Sequence, residues 1–221
     1  MVRFMESPRL SKRLFRCYSA RVQGNSRVRT RGDDTRERLL VAAGEAFAAR
    51  GFHATTTRDI AATAGMSPAA VYVHHESKEE LLYLIALEGH ERTRDLISAA
   101  IAAHEAPVDQ LREAMRAFVT FHVEQHAMAR VINYELVSLD EGHRREIDAL
   151  RRAIRHEVQS VVGRGVDDGS FDTPDPKMAT MAILSLGIDI GRWHRVEASW
   201  PARRIVPFYT DLALRIVGSS A

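Results

Sequence analysis

A single cysteine, Cys17, stands in 221 residues. One thiol excludes an internal disulfide and any metal site built from several thiolates. It also suits a reducing compartment, so a cytoplasmic location is expected. Long apolar runs are missing as well. None approaches the ~18 residues of a membrane span, and no apolar secretory segment follows the N-terminus. Aromatics make up 7% of the chain, and β-branched residues are few beside Ala, Leu, Arg and Glu. Nowhere does an apolar–polar alternation lead into a hairpin turn. The expected fold class is therefore all-α, in about nine helices.

Net charge is small, +2, but unevenly placed. Residues 1–32 carry nine Lys or Arg against one acid, Glu6, so this arm is +8 while the other 189 residues sum to −6. A basic arm on a mildly acidic body points to a polyanionic partner for the arm. A solvated tail, an over-long start-site assignment and an Arg-rich transit peptide are the competing readings.

Start and stop signals divide the rest. Asp33 or Asp34 caps a helix running to Arg50, with Leu40, Ala43 and Phe47 inward and Gly51 as the stop. Thr56 and Asp59 form a capping box for a second helix from Thr57, whose inner side is Ile60, Ala61 and Ala64; Gly65 ends it. Ser67-Pro68 opens a third, two-turn helix to His75. Ser77 and Glu80 box the start of a fourth, reaching Ala103. Further helices are expected over 107–126, 127–139, 142–166, 176–197 and from Pro201 to Val217, with Pro207 bending or delaying the last.

Two short capped helices joined by Ala-Gly-Met-Ser are a helix-turn-helix in outline. The third helix is too short to stand alone and too poor in large apolar residues to be core. Ser67, Pro68, Ala69, Tyr72 and His74 on it suit base edges, thymine methyls and phosphates. The stretch AAGEAFAARGFHATTTRDIAATAGMSPAAVYVHHESKEEL resembles the N-terminal domain of the tetracycline-repressor (TetR) family, nearly the whole signature in order. The resemblance implies a cytoplasmic homodimeric regulator that binds a palindromic duplex operator, usually as a repressor, with an inducer pocket and a dimer interface in the C-terminal helices. It puts Tyr72 and His74 in the groove, Lys78 on a phosphate, and Thr55 and Thr57 near the DNA backbone. Two positions depart: His75 stands where an aromatic is usual, which questions the packing of the third helix on the fourth, and Val73 stands where a polar residue is usual. From Phe52 to Lys78 two bases oppose two acids, so the reading unit is formally neutral. Phosphate attraction is therefore expected from helix N-termini and from the arm, especially Arg27, Arg29 and Arg31.

These readings set three regions: an arm over 1–32, a DNA-binding domain over 33–77, and a ligand-binding and dimerisation domain over 78–221. In the last, Phe118, Phe121, His122, Tyr134, Met181 and Trp193 are candidate ligand contacts, with plain core as the alternative. His122 and His126 have a metal-compatible i, i+4 spacing that nothing nearby supports. Gly163-Arg164-Gly165 lacks the third glycine and preceding strand of a nucleotide loop. No catalytic constellation, metal site or cofactor is expected. The segment LGIDIGRWHRVEASW and the final FYTDLALRIV resemble a branch of the family that includes a repressor of sterol-ring degradation induced by a coenzyme A thioester. That resemblance implies an acyl-CoA-type inducer, with Arg151, Arg152 and Arg155 as contributors to a basic mouth or, alternatively, as a solvated face. The apolar residues of the last two helices suggest a two-fold partner. A regulator without an inducer, and a helical enzyme or carrier with a vestigial DNA domain, are the rival functions.

Overall fold

The computed structural model describes residues 31–194 and 200–219, and all regular structure among them is helical. Cys17 and most of the arm, Arg27 and Arg29 included, lie outside the described residues. The backbone forms two compact units that divide at Ile85/Ala86.

The first unit holds α1 (Arg31–Arg50), α2 (Thr57–Ala64), α3 (Pro68–His74) and the start of α4 (Lys78–Ala102). Helix α1 already runs from Arg31, so Asp33 and Asp34 sit in its first turn rather than capping it, where they still favour the positive end of the dipole. It buries Leu39, Ala42, Ala43, Ala46 and Phe47, while Leu40 is only half-buried. Thr56 and Asp59 form the expected capping box, and Gly65 ends α2 at φ 67. The Met66 N–H then bonds Ala61 O at 2.9 Å, closing the turn that aims α3. Ser67 makes no side-chain cap; Pro68 alone starts α3. At α4, Ser77 Oγ accepts from the Glu80 N–H at 3.0 Å, but the Glu80 carboxylate turns to the Glu76 N–H instead of Ser77. The first turns of α4 bury Leu81, Leu82 and Ile85 and cluster with α1–α3. The division therefore falls inside α4, not before it as the sequence suggested.

The second unit comprises the rest of α4, α5 (Pro107–Glu124), α6 (His126–Tyr134), a 3-10 turn (Leu136–Ser138), α7 (Glu141–Asp167), α8 (Pro176–Trp193) and α9 (Ala202–Ile216). Its core centres on Ile97, Leu111, Met115, Phe118, Val158 and Ile183. Asp140 and Asp175 cap α7 and α8 through main-chain N–H groups. Helix α5 stops at Glu124 because Gln125 leaves helical geometry (φ −111, ψ 30), so His122 and His126 do not share one helix face. Helix α6 gives way to the 3-10 turn after Tyr134 instead of reaching Leu139. Pro207 does not delay α9, which begins at Ala202. Gly165 serves packing: a Cβ there would lie 2.1 Å from the ring of Phe171, which the following loop folds back on α7. No helix among the described residues is long and apolar enough to cross a membrane.

Candidate nucleic-acid interface and effector site

Of the seven residues of α3, only Val71 is buried. Ser67, Pro68, Ala69, Tyr72 and Val73 are exposed, the last two at 61% and 76%, and His74 is half-buried. A helix this short cannot hold itself together, so the rest of the unit braces it. Arg38 Nη2 donates to Ala64 O at 2.8 Å and Arg36 Nε to His74 O at 3.4 Å, placing guanidinium charge at the C-terminal ends of α2 and α3. The Thr57 and Tyr72 hydroxyls are 3.1 Å apart. For Tyr72 to give its proton to an outside acceptor such as a phosphate, Thr57 must be the donor in that pair. Thr57→Val is accordingly expected to weaken operator binding about three- to ten-fold. In a Tyr72→Phe background it should have no further effect, which a double-mutant cycle by fluorescence anisotropy reads directly.

Two residues expected at the DNA backbone are placed otherwise. Thr55 is buried, and its hydroxyl donates to Gly51 O at 2.8 Å and Ala46 O at 3.1 Å, which ties the α1–α2 loop together and takes its side chain off the surface. Lys78 Nζ donates to Phe52 O at 2.8 Å and Thr55 O at 2.9 Å and lies 4.1 Å from the Phe52 ring centroid. It is an internal clamp, not a free surface cation. Arg31 is the first residue of α1, and Arg29 lies outside the described residues.

His75 fills the aromatic position between α3 and α4. It is 4% exposed and neither ring nitrogen has a hydrogen-bond partner; the Glu80 carboxylate is 3.8 Å from Nδ1. Burial pushes its pKa below the usual histidine value, with Glu80 opposing. The packing is thus tight but polar atoms are stranded in it. His75→Phe removes both and should raise the melting stability of the first unit by about 1–2 kcal/mol, measured by thermal denaturation at pH 7. An unchanged or lowered melt would contradict this.

In the second unit the structure brings together three of the six expected ligand contacts. Phe118 and His122 have ring centroids 4.3 Å apart, and Phe121 meets His122 edge-on at 5.4 Å. Tyr134 and Met181 instead lie on the surface, 42% and 43% exposed. The Tyr134 hydroxyl donates to Asp189 Oδ1 at 3.2 Å, and Arg192 grips that carboxylate from both oxygens at 2.6 and 3.0 Å. Trp193 belongs to a different aromatic cluster, with Trp200, Tyr209 and His194.

Sequence reasoning missed a buried polar group. His90 is 4% exposed, and its Nδ1 bonds Ala86 O at 2.8 Å. Arg151 Nη1 reaches Asn133 Oδ1 at 3.1 Å and His90 Nε2 at 3.4 Å. Arg151 is thereby distinct from the exposed Arg152 and the half-buried Arg155. Helical periodicity did carry a signal, since His90 and Thr93 share the inward stripe of Ala86 and Ile97.

Comparison with known proteins fits this geometry. The family "Bacterial regulatory proteins, tetR family" matches residues 39–85, and "Tetracyclin repressor-like, C-terminal domain" matches 104–217, over half of the chain. The chain is a TetR-family protein. TetR-family proteins of this kind are DNA-binding transcription regulators, not enzymes. The transcriptional repressor KstR2 of Mycobacterium tuberculosis is 30% identical over 201 residues, spanning 85% of this chain and 95% of its own. The transcriptional activator FasR of Mycolicibacterium smegmatis is 29% identical over 165 residues, 73% of this chain and 72% of its own. Among solved structures, a TetR-family regulatory protein from Rhodococcus RHA1 is 42% identical, with a TM-score of 0.80 over 85% of this chain and 98% of that one.

Proposed function

We propose that this TetR-family regulator is a homodimeric repressor that holds a palindromic operator through α3 and releases it when a small, largely apolar or acyl-CoA-type inducer binds the second unit. The observation that carries the reading is α3: a short helix held by Arg36 and Thr57, with Tyr72 and Val73 left bare and one residue buried. Ser67, Pro68, Ala69, Tyr72 and His74 are the groove contacts in this reading, and Thr57 supports Tyr72.

Lys78 and Arg38 are spent on main-chain carbonyls. This supports a role for Arg27, Arg29 and Arg31 of the arm in binding phosphates. Deleting residues 1–31 is expected to flatten the salt dependence of operator binding by about one unit of log–log slope for each phosphate that the arm neutralises. An unchanged slope removes the arm from the interface.

Dimerisation is supported by exposed apolar side chains along the last two helices: Met178 at 65%, Met181 at 43% and Leu186 at 38% on α8, and Phe208 at 62% on α9. Met178, Met181 and Leu186 recur at helical spacing, so they form one stripe that water would otherwise cover. Induction works through α4, whose first turns belong to the DNA-reading unit and whose remainder belongs to the other. An inducer that binds one position of α4 better than another shifts the spacing of the two recognition helices by its differential affinity.

Fluorescence anisotropy with DNA from upstream of the protein's own gene, with and without acyl-CoAs, tests the whole reading. Binding that acyl-CoAs reverse supports it. Binding that no ligand affects reduces the second unit to a dimer platform, and no binding by a folded dimer defeats the reading. Because FasR is an activator, a reporter fused to that DNA reads the sign; deleting the regulator should raise expression.

A further inference from the structure

Two buried histidines of the second unit are built alike. His90 Nδ1 lies 2.8 Å from the carbonyl of Ala86, and His122 Nδ1 lies 2.9 Å from the carbonyl of Phe118, each one helical turn back. A carbonyl oxygen only accepts, so in each ring the proton sits on Nδ1, and in the neutral imidazole Nε2 is then a bare acceptor. Burial keeps both rings neutral at pH 7. From here they diverge. The Nε2 of His90 receives Arg151 Nη1. The Nε2 of His122 receives nothing, although the residue is 1% exposed and packed between the Phe118 and Phe121 rings.

An acceptor walled off from water without a donor is costly, and native interiors rarely leave one. Leucine or phenylalanine would fill the same volume without that loss. On its other side the Phe118 ring packs directly on Gly187 of α8, where a Cβ would come within 2.5 Å of it. The Phe118 and Phe121 rings flank the imidazole, so a group that meets Nε2 must present apolar surface to those rings and carry one O–H or N–H.

We propose that His122 Nε2 is the hydrogen-bond acceptor of the effector site, and that the effector is a hydroxyl-bearing acyl group, not a plain hydrocarbon chain. The inference rests on the inducer reading above and narrows its chemistry. His122 is then a specificity residue: a plain chain leaves Nε2 stranded, whereas a hydroxylated one satisfies it.

The full-length protein is titrated with octanoyl-CoA and a set of monohydroxylated octanoyl-CoAs, read by thermal shift and by release of bound DNA. At least one hydroxylated probe should half-saturate about ten-fold or more below octanoyl-CoA, the fold-change one satisfied buried hydrogen bond confers. In His122→Phe that preference for the hydroxylated probe over octanoyl-CoA should vanish. Equal binding of hydroxylated and plain probes by the wild type overturns the proposal but leaves an acyl-CoA inducer standing, and an internal water on Nε2 would produce that outcome. Binding of none of the probes overturns the acyl-CoA reading together with the proposal. A second measurement needs neither ligand nor variant. Nitrogen-15 NMR of the ligand-free protein should show His122 as the neutral Nδ1–H tautomer, and an Nε2–H tautomer overturns the proposal by itself.

Discussion

Lowering the pH from 7 to 5 is expected to remove about 2 kcal/mol of folding stability from the second unit for each of His90 and His122, and about 3 kcal/mol each by pH 4. Both rings are held down to about 4 from an ordinary 6.5, mainly because burial disfavours the charged form. The unfolded chain therefore takes up protons first as the pH falls. The stability contribution is intact above pH 6.5 and is lost progressively down to about 4, opposite in sense to a histidine that gains a carboxylate partner. Protonating His90 also sets its cation against Arg151, the residue now donating to it. The window from pH 6.5 to 5 is the informative one, because most carboxylates do not titrate there. Urea unfolding followed by tryptophan fluorescence reports it selectively, since Trp193 and Trp200 both belong to the second unit. His122→Phe should remove about half of the loss. A flat stability profile over that window would mean that these imidazoles are hydrated.

Lys78→Met should lower the stability of the first unit by about 2–4 kcal/mol, because two charge-assisted hydrogen bonds disappear together. Methionine keeps the apolar stem, so the loss isolates Nζ. The carbonyls of Phe52 and Thr55 are then without their donor, and the loop leading into α2 loosens. Far-UV circular dichroism melts, with amide exchange across residues 52–64, measure this. A lysine whose role was only to touch a phosphate would leave stability unchanged and merely flatten the salt slope. That outcome would restore the surface role that the TetR resemblance implies for Lys78.

The signals that could be read in the sequence were mostly local ones. Thr56, Asp59, Gly65 and Pro68 each act within a turn of themselves, and all four behave as read. The residues that were misplaced depend on what lies across the fold. Thr55 is one of three consecutive threonines, and only the return of α1 decides which one goes inward. Lys78 sits at a helix start, where a phosphate and a pair of carbonyls are equally good partners for an ammonium group. Gln125 breaks the helix between His122 and His126 with no Pro or Gly to mark it. Tyr134 and Met181 fit an inner stripe if helices run uninterrupted, but α6 stops at Tyr134 and α8 is apolar on more than one side. Arg151 was read as part of a basic mouth or of a solvated face, since spacing on α7 cannot reveal Asn133 and His90 on other helices.

In the proposed function the exposed side chains of α3 grip duplex DNA. Anisotropy titration of Tyr72→Ala against wild type, on the DNA upstream of the protein's own gene, tests it most directly, with melts confirming that both proteins are equally folded. Tyr72→Ala is expected to lose at least about ten-fold in affinity at an unchanged melting temperature. Equal affinity of the two proteins for that DNA would contradict it.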